Sequence, residues 1–444
     1  MGVAVTAGMS IILEWDAGEF GPVEIRSTMA QLRIDFGELT ATRAEDDWSQ
    51  SVHSWARLSA YPLALWFASS WWRLRWESAP LGRPNAAWRM AHEIAGAGGG
   101  FVWPTVRLTP DGEMMEAVCS PSPQNVREPL RYLASFTARV LPPSYERAID
   151  DFIASVLERL DVVGARDTEL HALWQDLWGE RTDPPMARLR QLEARLGFEP
   201  GEAPETVLTG LQALSVEGGS AAVAEVATSC AGDDPSEAFS RVAQFVRSKP
   251  IRGRLPSIDG LAMPDDQAGT LKEPPLPWER GRSLARTARK YWNISSESIE
   301  DHALSELLGI SQSRLRYGGP INESAPLGLA MRRTSVERVD LLFRTRRHTG
   351  RRFEAARFLA DHLMAPSDDR WLPATDARTA RQQKQRAFAA EFLCPIHAVE
   401  SFLNEDYSQE AIERAAEHFG VSPLTMRSHL ANNDRIERFQ RARL

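Results

Sequence analysis

The sequence predicts an α+β fold, and three observations carry that reading. Short runs that alternate apolar and polar residues fall within 10–42 and 327–345, the period of half-buried strands. Residues 144–247 and 351–395 instead repeat apolar side chains at helical spacing. Between 248 and 280, Pro250, Pro256, Pro264, Pro274, Pro275 and Pro277 interrupt both patterns. The expected organisation is a Trp-rich α+β region (1–143), a helical region (144–247), a proline-rich linker (248–280) and a C-terminal α+β domain (281–444).

Composition sets the frame for these elements. A chain of 444 residues is long enough for two or three domains, each with its own core. Its 43% apolar and 25% charged content is that of an ordinary globular protein. No apolar run approaches the roughly 20 residues of a membrane span. The opening stretch MGVAVTAGMSIILEWDAG lacks the basic region and long apolar core of a secretory signal, so a cytoplasmic location is expected. Cys119, Cys230 and Cys394 lie far apart in apolar or small-residue surroundings and read as reduced packing residues. Net charge is −8, unevenly spread: residues 281–444 hold 26 basic and 21 acidic side chains, so the acidic surplus lies in the rest. Such asymmetry fits a basic face for an anionic partner or an interface between the two halves.

Taken in order, SIILEW, VEIR and QLRIDF read as a small antiparallel sheet or meander. A helix follows from about Pro62, with Leu63, Phe67, Trp71 and Leu74 on one side and Leu65, Trp72 and Trp76 on others. A helix apolar on most sides is buried or forms an interface. Nine of the 14 tryptophans precede residue 104, which reads as an aromatic core beneath a sheet, with a ligand cage as the alternative. The run Ala91-His92-Glu93-Ile94-Ala95-Gly96 begins like a zinc-binding pentad but places Gly96 where a second histidine belongs.

Ile149, Phe152, Ile153, Val156, Leu157 and Leu160 form an amphipathic stripe ended near Gly164. Asp183-Pro184 opens another helix that Gly197 closes, and Asp234-Pro235 opens a third. Helices around 168–178, 204–214 and 220–230 complete the array, with His171 as a packed or surface histidine. Pro274 and Pro277 form a minimal PxxP spacing. Beyond the linker, RSLARTARKYW and SIEDHALSELLG read as helices, and LGLAM and RVDLLFR as strands. The stretch 351–395 then gives two helices. RRFEAARFLADHLMAP carries Phe353, Ala356, Leu359, Ala360 and Leu363 as one apolar stripe; RQQKQRAFAAEFLCP carries Phe388, Ala389, Phe392 and Leu393 before Pro395 stops it. A helix, a turn at Gly420-Val421-Ser422 and a second helix close the chain.

The helix pair of 351–395 resembles the core of the ImmA/IrrE-type zinc metallopeptidases. Their first helix reads approximately R-x-F-x-x-A-H-E-x-G-H-x-L and their second E-x-x-N-x-F-A-A-E-L-L-M-P. The resemblance spans residues 281–444 and implies a zincin-like α+β domain, with the closing helix pair in a structural role. It also implies descent from zinc endopeptidases that cleave repressors in stress or mobile-element gene control. In H-E-x-x-H two imidazoles one turn apart bind zinc and the glutamate activates its water. Here the pentad falls on Arg357-Phe358-Leu359-Ala360-Asp361, and the carboxylate completing the metal shell falls near Lys384. Arginine cannot ligate, lysine is normally cationic and phenylalanine is no base.

No catalytic constellation is therefore intact, and neither zinc nor another cofactor is expected. Arg357 and Asp361 share a helix face and Lys384 approaches from the next helix, so the three either cluster in the former zinc shell or point to water. His362 is rotated by about 100° from the ligand position. A rebuilt metal site from His348, His362, Asp368 and His397 is the alternative. Arg344, Arg346, Arg347, Arg351 and Arg352 read as an exposed basic loop. The last two helices also fit a helix-turn-helix, with Arg427, Ser428 and His429 on its recognition helix. The resulting expectation is a catalytically degenerate peptidase homologue that binds a protein partner, with no membrane role and with its former active site energetically replaceable. The alternatives are a DNA-binding regulator and a peptidase with rebuilt ligands.

Overall fold

The computed structural model describes residues 5–6, 8–16, 18–46, 50–123, 129–232, 234–261, 275–294, 297–317, 326–333 and 338–437. The Met1-Gly2 start, Trp48, Pro264 and Pro274 lie outside them, and with them part of the linker and the first half of the PxxP spacing. Helices and mostly antiparallel strands are mixed, as in an α+β chain, with Val5–Thr6 pairing parallel to Phe136–Val140. No helix among the described residues is long and apolar enough to cross a membrane. The chain divides into two compact units, Met1–Pro204 and Glu205–Leu444, so the helices of 144–247 are shared between them.

In the first unit, strands Met9–Trp15 and Met29–Phe36 pair antiparallel as the alternation of SIILEW and QLRIDF predicts, and Ala56–Ser59 lines the far edge. The segment VEIR, predicted as a strand, is instead a helical turn, Val23–Ser27. Pro22 enters it at φ −55°, and the Thr28 hydroxyl donates to the Glu24 carbonyl at 2.6 Å, satisfying its C-terminal end locally. A second sheet combines Thr105–Pro110, Met115–Ser120 and Phe136–Val140. Helices Ala60–Ser69 and Trp71–Trp76 are buried on nearly all sides, and Trp66, Trp71, Trp72, Trp88 and Trp103 belong to the core. Indole N–H groups of Trp66, Trp72 and Trp103 donate to the Met90 carbonyl, the Glu180 carboxylate and the Gly98 carbonyl. Trp66, Trp72 and Trp103 are packing residues with satisfied polar tips, and Trp71 and Trp88 are packed in the same core with their indole nitrogens buried, so the set reads as core and not as a cage around a ligand. Gly96 is explained here too: a Cβ would sit 2.3 Å from the Met90 carbonyl oxygen and 2.9 Å from the Trp66 indole nitrogen, so no histidine fits. His92 is fully buried, stacked on Trp88 and bonded to Leu108 O and Glu77.

The second unit contains one four-stranded antiparallel sheet in the order Ile251–Arg254, Arg338–Leu342, Leu327–Arg332, Trp371–Thr375. Its first strand lies within the predicted linker. Pro250 sits outside the ladder, and Gly253 lets the strand approach the Leu308 carbonyl, 2.4 Å from where a Cβ would be. Pro277 occupies the first turn of helix Pro277–Tyr291, where its missing N–H costs nothing.

Helix His348–Met364 is the centre of this unit. The sequence reads it as amphipathic, but Arg351 through Leu363 are buried on all sides except at Phe353, which is only partly covered. Helix Ala380–Leu393 packs between it and Pro277–Tyr291. Gly281 permits that close crossing, since a Cβ there would lie 2.3 Å from the Lys384 carbonyl oxygen. Cys119, Cys230 and Cys394 are all buried and unbonded to one another, and burial pushes the Cys119 and Cys230 thiols up to about 12.

Phe388 and Leu359 are fully buried where these helices meet. Truncating either to Ala is expected to cost about 2–5 kcal/mol through lost burial and a residual cavity. Phe353→Ala, at a partly covered position, is expected to cost less. Denaturation midpoints of the three variants check the order.

Candidate functional site

The residues that the peptidase resemblance singles out lie around strand Trp371–Thr375, an edge of the sheet. An edge strand presents unpaired backbone groups. Pro373 and Thr375 turn theirs outward, and three side chains take them. Gln382 donates to Pro373 O at 3.0 Å and accepts from Thr375 N at 2.9 Å. Gln385 donates to the same Pro373 oxygen at 3.0 Å. Arg357 donates to Thr375 O at 2.5 Å and to the Gln382 side-chain oxygen. Helix Ala380–Leu393 and the central helix therefore stand in for a further strand.

Arg357 is 2% exposed and Asp361 is fully buried, so neither points to water. Burial, aided by the charge of Arg386, pushes Arg357 down to about 9, which leaves it cationic at neutral pH. Phe358 lies in the core against Phe343, with ring centroids 5.5 Å apart. Asp361 meets neither Arg357 nor Lys384. Both its oxygens accept from Arg381, Oδ1 from Nε at 2.8 Å and Oδ2 from Nη2 at 2.7 Å. Arg381 Nη1 donates to Asp369 at 2.7 Å. Burial opposes the charge on Arg381, but Asp361 and Asp369 outweigh it and hold its pKa above the usual value. Lys384 is half-buried, and its carbonyl faces Gly281. The expected Arg357–Asp361–Lys384 cluster is thus replaced by an Asp361–Arg381–Asp369 lattice.

The lattice extends to a covering helix, Ser220–Cys230, which packs on the edge strand. Ala222 N donates to Asp369 Oδ1 at 3.2 Å, and the Thr379 hydroxyl to the buried Glu225 at 2.7 Å. Gly218 and Gly219 allow this docking. A Cβ on Gly218 would meet the Trp371 ring at 2.5 Å, and Gly219, at φ +95°, would place one 2.4 Å from Asp369 Oδ1. The cleft is covered by the chain's own helix.

The remaining metal candidates are dispersed. His362 Nε2 donates to Pro256 O at 3.0 Å while Nδ1 accepts from Arg332 Nη2 at 3.0 Å, so both nitrogens are occupied. His348 Nε2 lies 3.0 Å from Asp301, and Asp368 and His397 are exposed. Among the described residues, no group of three His, Cys, Asp or Glu side chains is arranged to hold a metal ion. The residues at the family's ligand positions do not fit zinc: Arg357 is a cation and Asp361 has both oxygens taken. Nor is the site replaceable. Glutamate at 358 would bury a charge in the core, and histidine at 361 would strip Arg381 of its fork, each a severe cost.

The basic run is not an exposed loop either. Arg351 and Arg352 are buried, donating to Leu315 O and to Gly420 O, and Arg344 binds Asp376 at 2.5 Å; Arg346 and Arg347 are exposed. In the terminal pair, Gln409–Phe419 and Pro423–Asn432, His429 is buried, 3.5 Å from Glu391. With Leu424, Thr425 and Ser428 it lines a cavity of about 460 Å³ closed by Phe353, Arg386 and other residues of this unit.

Sequence reasoning missed Arg381, Asp369, Glu225 and Gln382. The Gly218-Gly219 pair before Ser220 was the available cue, since paired glycines between helices mark a close backbone approach. In comparisons with models of known protein families, with curated proteins and with solved structures, the chain finds no match.

Burial pushes His362 down from 6.5 to about 4. Between those values the unfolded chain takes up a proton that the folded chain refuses, so stability falls as pH drops through the window, by at most about 1.4 kcal/mol per pH unit. His362→Gln keeps one donor and one acceptor without the titration. Its melting temperature is expected to fall less steeply from pH 6.5 to 4.5 than that of the unsubstituted chain. Parallel profiles would contradict this assignment.

Proposed function

We propose that this chain is a catalytically degenerate homologue of the ImmA/IrrE-type metallopeptidases and acts by binding a protein partner in stress or mobile-element gene control. The observation that carries the reading is the Asp361–Arg381 fork, which occupies a ligand position of the resemblance with a buried ion pair. Phe358 at the general-base position and the helix Ser220–Cys230 across the edge strand support it. A cleft filled in this way retains its frame but offers neither a metal, a base nor an open edge for an extended peptide. Binding is then the activity left to the fold.

The test is elemental analysis of the purified full chain alongside a proteolysis assay. The expected result is substoichiometric zinc and no cleavage that depends on added zinc. One zinc per chain, lost on replacing His348 or His362, would overturn the proposal in favour of a rebuilt peptidase.

A further inference from the structure

A second, larger cleft of about 840 Å³ lies elsewhere in the Glu205–Leu444 unit. It is bounded by the end of helix Pro235–Val246, the edge strand Ile251–Arg254, residues 309–314 and strand Arg338–Leu342. Its charge is one-sided. Lys249, Arg252 and Arg314 stand exposed around it, Arg351 forms part of its wall, and among the described residues no aspartate or glutamate lines it. Among the described residues, the side chains of the three exposed cations have no ion-pair or hydrogen-bond partner. Asp340, directly opposite Arg252 in the ladder, is engaged by Arg333.

Arg351 supplies an independent observation. It is fully buried, with its guanidinium 4.3 Å over the Phe343 ring. Nε and Nη2 donate to Leu315 O at 2.8 Å and Arg314 O at 2.7 Å, while Nη1 has no partner among the described residues. Two carbonyls and an aromatic face fix the fork without neutralising it. The carboxylate whose charge acts on it, Glu354, is itself engaged by Arg344. A guanidinium stays charged under these conditions, and a buried cation lacking a counter-ion is costly unless an anion is supplied. Phe245 and Leu341 add apolar wall to the same cleft. Its volume falls in the range of small-molecule sites.

We propose that this cleft binds a small phosphorylated ligand, its phosphoryl oxygens among Arg351, Lys249, Arg252 and Arg314 and its apolar or ring-bearing body against Phe245 and Leu341. Several cations around one cleft match a multiply charged anion, and the unpartnered Nη1 of a fixed guanidinium adds a charge-assisted donor for a phosphoryl oxygen. The inference stands on residues remote in sequence from 357–384 and does not depend on the peptidase resemblance.

The test is calorimetric titration of the full chain with sodium pyrophosphate, ATP, adenosine and, as a carboxylate control, citrate. Pyrophosphate or ATP is expected to bind at one site per chain, and adenosine and citrate are not. Lys249→Glu and Arg252→Glu, both at exposed positions, should each weaken binding roughly tenfold or more, as loss of a charge-assisted contact does. Arg188→Glu, an exposed position in the first unit, should leave it unchanged. Binding of ATP without pyrophosphate would support the site and assign the apolar walls a share of the affinity. No binding of either phosphate compound, equal binding by the Lys249→Glu/Arg252→Glu double variant, or equal binding of citrate would overturn the proposal. So would binding of duplex DNA that the same variants abolish while pyrophosphate fails to bind.

Discussion

The guanidinium of Arg381, held between Asp361 and Asp369, is the interaction on which the second unit depends. It ties together three pieces of chain: the central helix through Asp361, the connector through Asp369, and helix Ala380–Leu393 that carries it. Asp369 passes the connection on to Ala222 and so to the covering helix. All three ionic groups are largely withdrawn from water. Such groups are tolerable only when each is paired, and loss of one partner leaves a buried charge uncompensated. A lattice of this kind fixes geometry more than it adds net stability.

The second constraint is the edge of the sheet. Trp371–Thr375 would expose backbone groups along one side, yet Gln382, Gln385 and Arg357 occupy those of Pro373 and Thr375. Proline at 373 suits an edge position, having no N–H to lose. The same side chains that close the edge stand beside the positions where the resemblance would put a metal. Closing the strand and filling the cleft are thus one structural event.

Much of this architecture was legible in the sequence. The stripe Ile149–Leu160 and the alternation of SIILEW and QLRIDF could be read because one face of each is buried and the other is not. The 353–363 stripe gave the right element but the wrong environment. A helix buried on all sides by paired charges has the same residue spacing as one whose charges meet solvent. Arg351 and Arg352 read as exposed for that reason, and the inward-facing Arg381, Gln382 and Gln385 of RQQKQR gave no signal at all. Strand Ile251–Arg254 is four residues long among prolines, too short for its period to register. Burial of polar groups is decided by partners distant in the chain, and those partners are not visible from spacing.

A double-mutant cycle on Asp361 and Arg381, read by chemical denaturation of the full chain, tests the central claim most directly. If the fork is a buried structural pair, Asp361→Ala and Arg381→Met should each cost roughly 3–5 kcal/mol, and the double variant far less than their sum. Additive losses, or single variants as stable as the unsubstituted chain, would contradict it.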